Sequence, residues 1–398
     1  MRRAFSLSNI TAGFIAVLIG VTSSIVLVFQ AASAAGASTA EISSWIFAIG
    51  VGVGLSCIGL SLYYRIPILT AWSTPGAALL ITSLSGVTMS QAIGAFIFSS
   101  LLTILAGVTG LFEKTMSRIP RSLASAMLAG ILLHFGINIF TSMQHQFILV
   151  FTMFMTFLIG KKLFPRFAIL IVMCLGMSIS YMQGLFHLDH FHMAFSTPSW
   201  TMPTFSLSTM LGIGIPLFIV TMTSQNLPGV AIIHASDYRP PISSIMSWMG
   251  LTNLVFAPFG GFTINLAAIT AGICLGKEAD PDPTQRYKSA IFAGICYLLV
   301  GLFGATIVAL FTALPTEFIL ALAGLALLNT INASLKTALE DDKQREAALI
   351  TLLVTASGIT LFGIGAAFWG LIAGIISLAL LKSYKNLAFF SIKKYETN

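Results

Sequence analysis

Read as apolar runs separated by short loops, the chain places all 20 of its Lys and Arg residues in every second loop. The runs fall near residues 8–30, 41–62, 66–86, 89–111, 122–141, 144–160 and 167–183, then 207–235, 241–257, 260–276, 287–312, 316–335, 345–363 and 365–382. The side that receives Arg2 and Arg3 also receives Arg65, then Lys114, Arg118 and Arg121, then Lys161, Lys162 and Arg166, then Arg239. It goes on to receive Lys277, Arg286 and Lys288, then Lys336, Lys343 and Arg345, and last Lys382, Lys385, Lys393 and Lys394. The opposite loops carry Glu41, Glu317, a His-rich stretch and small or polar residues. Basic loops stay on the cytoplasmic side of a bacterial inner membrane. One missed or extra crossing would swap the side of every later loop, so the pattern predicts fourteen crossings with both termini cytoplasmic. At about 20 residues per crossing plus short loops, 398 residues hold that number.

Composition agrees: 57% of residues are hydrophobic and 8% charged, where soluble domains carry about 25% charged residues. The net charge of +7 is then the cytoplasmic loops' own, and no nucleic-acid partner is expected. Cys57, Cys174, Cys274 and Cys296 lie in apolar runs without metal-ligand spacing, so neither a disulfide framework nor a metal centre is expected. Met1-Arg2-Arg3 precedes a full-length apolar run with no small-residue cleavage site, which predicts a retained first helix rather than a signal peptide.

Two of the runs are broken. In Arg65-Ile-Pro-Ile-Leu-Thr-Ala-Trp-Ser-Thr-Pro-Gly-Ala-Ala-Leu79, Pro67 and Pro75 disfavour helix in the residues before them. Ile66 to Trp72 therefore reads as extended chain. Ser73-Thr74 offers an N-cap and Pro75 suits the first helical position, so a half-helix is predicted to start there. In Pro258-Phe-Gly-Gly-Phe-Thr-Ile-Asn-Leu-Ala-Ala-Ile-Thr-Ala271, Gly260-Gly261 frees the backbone, Phe262 to Leu266 reads as strand, and Ala267 onward as helix. Lipid cannot solvate such backbone, so it must be walled by protein or line a cavity. The competing reading is that Pro75 and Gly260-Gly261 merely kink ordinary helices.

The broken runs are third and tenth of fourteen. The predicted fold class is therefore an all-α polytopic membrane protein with 14 transmembrane segments as a 7+7 inverted repeat, with short strands and half-helices in spans three and ten. Thr22-Ser23-Ser24 in span one answers Thr223-Ser224-Gln225 in span eight, and Thr70-Ala71-Trp72 answers Thr263-Ile264-Asn265.

In an inverted repeat the two half-helix N-termini face each other near the midplane, each with unpaired N–H groups and partial positive charge. No Asp or Glu lies deep in spans one, three, eight or ten. The candidate binding groups there are Ser23, Ser24, Ser73, Thr74, Gln225, Asn226 and Asn265, with the backbone of Leu266 and Ala267. Helix N-termini and neutral donors without an acidic competitor favour an anion. Trp72, Phe29 and Phe262 are candidates for an aromatic wall, with packing as the alternative. Ser224-Gln225-Asn226 puts two amides in mid-membrane, where substrate recognition and interhelical bonding both fit. His134 and His234 are the intramembrane groups that titrate near neutral pH. His134 is a candidate for proton coupling, with a packing histidine as the alternative, and Asn329 and Asn332 are candidates for lining the cavity from the other domain, with interhelical bonding as the alternative. His187-Leu-Asp189-His190-Phe-His192 carries metal-ligand chemistry, but no second cluster completes a site, and it reads as a solvated loop. Glu340 to Glu346 reads as a cytoplasmic loop. Nothing resembles the nucleophile–base pair or metal cluster of an enzyme, and no cofactor is expected.

Gly13-Phe-Ile-Ala-Val-Leu-Ile-Gly20 with Thr22-Ser-Ser24, Pro67-Ile-Leu-Thr-Ala-Trp-Ser-Thr-Pro-Gly-Ala-Ala78, Thr223-Ser-Gln-Asn-Leu-Pro-Gly229, Asn265-Leu-Ala-Ala-Ile-Thr-Ala271 and Thr355-Ala-Ser-Gly-Ile-Thr360 resemble the benzoate:proton symporter (BenE-type) family over nearly the whole chain. The resemblance implies the inverted-repeat fold shared with nucleobase and sulfate-type anion transporters. It implies a substrate-carrying core of residues 1–112 and 205–312 and a gate of residues 113–204 and 313–398, with homodimerisation through the gate. It also implies uptake of an aromatic carboxylate with a proton. Where the nucleobase branch has an acidic residue in span eight, this chain has Gln225, which argues against that branch. A nucleobase symporter and an inorganic-anion exchanger or channel remain the alternatives on this fold.

Overall fold

The computed structural model describes residues 5–110, 120–186, 193–268 and 270–395, with side chains as far as Leu381. Arg2, Arg3, Lys114, Arg118 and the His187–His192 stretch lie outside the described residues, as do the side chains of Lys382, Lys385, Lys393 and Lys394. The helices in order are α1 (Leu7–Ala34), α2 (Thr39–Tyr64), α3 (Thr74–Ser83), α4 (Met89–Val108), α5 (Arg121–Ser142), α6 (Phe147–Leu163) and α7 (Ala168–Met182). Then follow α8 (Leu207–Ala235), α9 (Ile242–Phe256), α10 (Ala271–Leu275), α11 (Tyr287–Leu302), α12 (Gly304–Thr312), α13 (Thr316–Leu339), α14 (Arg345–Ala356) and α15 (Ala366–Tyr395). Strand β1 (Thr70–Trp72) precedes α3, and β2 (Ile264–Leu266) lies between α9 and α10.

Among the described residues, α1, α2, α4, α5, α8, α13 and the stretch Ile242–Phe259 are each long and apolar enough to cross a membrane. The remaining apolar runs of the sequence fold differently. Two are strand-plus-helix segments, and α11–α12 bends by 59° at its break. The others are the shorter α6 and α7, the 12-residue α14, and the Ala366–Leu381 part of α15. The molecule is thus a mostly helical membrane protein built from whole and interrupted apolar helices.

Local chemistry sets the helix ends. Ser38 caps α2 in a reciprocal capping box with Glu41, and Thr88 caps α4 in the same way with Gln91. α2 stops at Arg65, whose φ of 56° ends the helix in the left-handed conformation, and Arg65 Nη1 donates to the Tyr287 hydroxyl at 2.7 Å. At Gly260 (φ 93°) a Cβ would run into the Trp45 indole, so no other residue fits that turn. The principal helix pairs are α2 with α11, α4 with α9, α5 with α13, and α14 with α15. Small residues let them approach: a Cβ on Gly50 of α2 would lie 2.6 Å from the Cα of Gly301 in α11.

The two interrupted segments meet. β1 and β2 pair antiparallel, with Thr70 opposite Leu266, Ala71 opposite Asn265 and Trp72 opposite Ile264. The ladder extends through Ser73 N–H to Thr263 O at 3.0 Å and Ala267 N–H to Leu69 O at 2.9 Å. A two-stranded ribbon leaves two outer edges, which inside a membrane protein need partners. Side chains supply them. Asn253 of α9 holds both backbone groups of Ile264, accepting from its N–H at 2.7 Å and donating to its carbonyl at 3.1 Å. Asn226 Oδ1 of α8 accepts from Leu266 N–H at 2.9 Å. On the β1 edge, Thr70 N–H points to Cys57 Sγ, and Ser61 Oγ bridges both backbone groups of Ile68.

Helix does not resume at Ala267, as the sequence implied. Ala267 is held by the ladder, and α10 begins at Ala271 and lasts five residues, ending before Gly276. The half-helix after β1 follows its strand without delay and is twice as long, because Ser73 and Pro75 fix its start.

Candidate functional site

Beside the ribbon is a cavity of about 770 Å³, within the range typical of small-ligand sites. One wall is α1, from Ile19 to Ser24. Ala71, Trp72 and Thr74 form the second, and Gln225 with Ala267 and Thr270 the third. Tyr297 of α11, edge-on to Trp72, and Asn329 and Thr330 of α13 complete the lining. Its mouth is ringed by charge: Arg166, from the α6–α7 loop, meets Glu278, from the loop after α10, at 3.7 Å, with Lys277 alongside. The pair is mostly exposed, so it sets the potential at the entrance more than it adds stability.

α3 points its N-terminus at this space. The Ser73 hydroxyl accepts from Gly76 N–H at 3.0 Å, Ala77 N–H bonds the Ser73 carbonyl, and Pro75 has no N–H. Among the first-turn amides this leaves Thr74 N–H without an acceptor, next to a Thr74 hydroxyl that is also unpartnered among the described residues. α10 is too short to offer a comparable end.

The α1 hydroxyls are committed within their own helix. Thr22 donates to Leu18 O at 2.6 Å, and Ser23 and Ser24 donate to Gly20 O at 3.1 and 2.7 Å. Each has spent its proton and offers the cavity lone pairs only. Ser24 Oγ also accepts from Trp72 Nε1 at 2.9 Å, which locks the indole edge-on to Tyr297 with centroids 5.6 Å apart.

Within α8, residues Met222 to Asn226 form one turn of π-helix, a local widening often found at functional sites. It separates two adjacent amides. Gln225 turns into the cavity with no side-chain partner among the described residues, whereas Asn226 is fully buried and clamps β2.

The residues read from the sequence thus divide. Ser23, Ser24, Trp72, Thr74, Gln225, Ala267 and Asn329 line one cavity. Ser73, Asn226, Asn265 and Leu266 lie behind it in the cap and the ribbon; Ser73 Oγ additionally accepts from Thr221 at 3.0 Å. Asn265 donates to Leu266 O at 2.8 Å and its Oδ1 has no partner among the described residues. Asn332 is exposed away from the cavity. His134 lies outside it too, with Nε2 2.8 Å from Ala356 O, tying α5 to the end of α14. Phe262 packs among Trp45 and Phe96, and Phe29 against Phe311. Asn253 and Tyr297 had not been singled out in the sequence. A signal for Tyr297 was present: it is the only tyrosine in the middle of an apolar run, whereas membrane tyrosines concentrate at the interfaces.

The fold is that of known anion transporters. The transmembrane domain of a cyanobacterium bicarbonate transporter, BicA, superposes with a TM-score of 0.58 at 14% identity, over 93% of this chain and 97% of that one. The murine solute carrier 26 family member A9 anion transporter in the inward-facing state gives 0.61 at 13% identity, over 97% of this chain and 69% of that one. In sequence, the chain is 49% identical to the inner membrane protein YdcO of Escherichia coli (strain K12) over 381 residues, 95% of this chain and 97% of that protein. It is 39% identical to the benzoate membrane transport protein of Acinetobacter baylyi (strain ATCC 33305 / BD413 / ADP1) over 381 residues, 96% and 97% of the two. The family described as Benzoate membrane transport protein, BenE, matches residues 3–380. The interrupted segments, the cavity beside them and this whole-length match lead to one assignment: the chain is a multi-pass membrane transporter, not an enzyme, and belongs to the BenE benzoate transport family.

Proposed function

We propose that the protein takes up a small aromatic carboxylate, benzoate in the first instance, together with a proton across a bacterial inner membrane. The observation that carries this is the cavity's polarity. Its inner part offers Thr74 N–H and hydroxyl, the Gln225 amide and the N-terminus of α3 as open donors. The one carboxylate among its described lining residues, Glu278, stands at the mouth beside Arg166. A bound carboxylate gains charge-assisted hydrogen bonds there without an acidic competitor. Trp72 supplies a flat apolar face beside those donors, suited to an aryl ring. The name of the Acinetobacter relative agrees with this substrate.

The architecture proposed with it has fourteen crossings in two inverted halves of seven, both termini cytoplasmic. Residues 1–112 and 205–312 form the moving core, residues 113–204 and 313–398 the gate, with dimerisation through the gate. Symmetric packing supports the repeat: α2 with α11 and α4 with α9 are mates under the exchange of halves, and β1 and β2 pair antiparallel across its axis. Arg166, Lys277 and Glu278 belong to loops assigned to the cytoplasm, so the cavity is open inward in this state. Transport by alternating access then requires the α3–α8–ribbon unit to shift against α7 and α13.

Purified protein in liposomes is expected to accumulate labelled benzoate faster under an inward proton gradient, with bicarbonate and uracil as competitors. Uptake of no aromatic carboxylate overturns the reading, and uptake of bicarbonate or uracil in its place assigns the cavity to the other branches of the fold.

A further inference from the structure

Tyr297 is 1% exposed and lies well inside the apolar helix α11, where a tyrosine hydroxyl needs a hydrogen-bond partner. It has none among the described residues, although its ring lies edge-on to Trp72 and its side chain forms part of the cavity wall. Trp72, Ser24 and Ser23 beside it have already committed their protons. Trp72 Nε1 gives its proton to Ser24, and Ser24 and Ser23 give theirs to Gly20 O. Among Trp72, Ser23, Ser24 and Tyr297, the tyrosine hydroxyl is the open donor. Gly20 lies against it: a Cβ there would be 2.9 Å from the Tyr297 hydroxyl and 3.9 Å from Thr270 Cγ2. Gly20, Thr270 and Tyr297 are all lining residues, so the missing side chain of Gly20 leaves room in front of the hydroxyl.

We propose that Tyr297 is a substrate-binding residue that determines specificity: its hydroxyl donates a hydrogen bond to an oxygen of the bound carboxylate, while Gly20 keeps that approach clear. The inference rests on the carboxylate reading of the cavity and adds a donor from α11, outside the interrupted segments and their partners α1 and α8. The Trp72 indole, held by Ser24, fixes the phenol ring so that the hydroxyl is presented without rearrangement.

The test compares wild type with Tyr297→Phe, which keeps the ring and its packing on Trp72 and removes the hydroxyl alone. Benzoate binding is measured by calorimetry on the purified full-length protein, and ligand-free melting temperature in parallel. The proposal expects Tyr297→Phe to bind benzoate at least about 10-fold more weakly, the scale of one hydrogen bond to a charged group, with an unchanged ligand-free melting temperature. Gly20→Ala is the second variant. It weakens benzoate binding in wild type but loses most of that effect in the Tyr297→Phe background, because its methyl group acts through the hydroxyl. Equal benzoate affinity in Tyr297→Phe and wild type overturns the role of Tyr297 and leaves the transport reading standing, as does a Gly20→Ala effect that is the same in both backgrounds. Failure of wild type to bind benzoate or any other aromatic carboxylate overturns the transport reading and this role with it.

Discussion

Gln225 and Asn226 are neighbours with the same functional group and opposite uses. Gln225 makes no side-chain bond among the described residues and faces the cavity, while Asn226 satisfies the Leu266 N–H of the ribbon. Gln225→Ala is expected to raise the KM for benzoate about tenfold, the loss of one charge-assisted hydrogen bond, and to leave the melting temperature close to wild type. Asn226→Ala is expected to destabilise by about 1–3 kcal/mol, because it orphans a buried N–H, seen as earlier melting in detergent. Matching melting curves for the two variants would contradict this division. No reading of the sequence could separate the two amides, since their directions are set by the π-helical turn and by what β2 presents to it. Capping, by contrast, is a local matter: Ser73 and Pro75 specify the start of α3 within four residues, and that start was legible.

At the scale of elements, the ribbon is held by side chains from helices distant in sequence. Asn253 alone serves two backbone groups of Ile264. Asn253→Leu, similar in size but apolar, is expected to cost about 2–4 kcal/mol as two buried groups lose their partner, with the melting temperature as the readout. A loss no greater than that of Asn226→Ala would argue that water replaces the amide. The break at residues 258–271 was legible because Gly260-Gly261 and Pro258 announce it, but the late start of α10 was not. Ala267 favours helix by propensity, and its N–H is drawn instead to Leu69 O, a contact between residues nearly 200 positions apart. Tertiary pairing overrode local preference there. Where a whole helix is specified by an uninterrupted apolar run, as in α1, α2 and α4, run and helix agree to within a few residues.

For the molecule as a whole, the proposed topology predicts which side the cavity opens to. Under the proposed topology, which puts Arg166, Lys277 and Glu278 on cytoplasmic loops, a cysteine placed at Ala71 is expected to react with a membrane-impermeant thiol reagent in inside-out vesicles and far more slowly in right-side-out ones. Benzoate should slow the reaction. The experiment needs a background without Cys174 and Cys296, the native thiols that are not fully buried. Faster labelling from outside would reverse the orientation. The alternation of basic loops made this prediction available from sequence, because topology is written in charges. The division of polar residues between cavity and scaffold is written in packing, and a hydropathy pattern does not carry it.

The pairing of β1 with β2 also bears on how the protein is made. When Thr70–Trp72 enters the membrane its partner strand has not been synthesised, and at about 5–20 residues per second the wait is on the order of ten seconds or more. During that interval α2 holds the outer edge of the segment through Ser61 and Cys57, while the inner edge stays open. A nascent first half therefore carries an unsatisfied edge in the bilayer until residues 264–266 arrive. Expressed alone, residues 1–204 should be cleared by membrane proteases, and co-expression of residues 205–398 should restore them. Survival of the isolated first half would mean that its inner edge finds another partner.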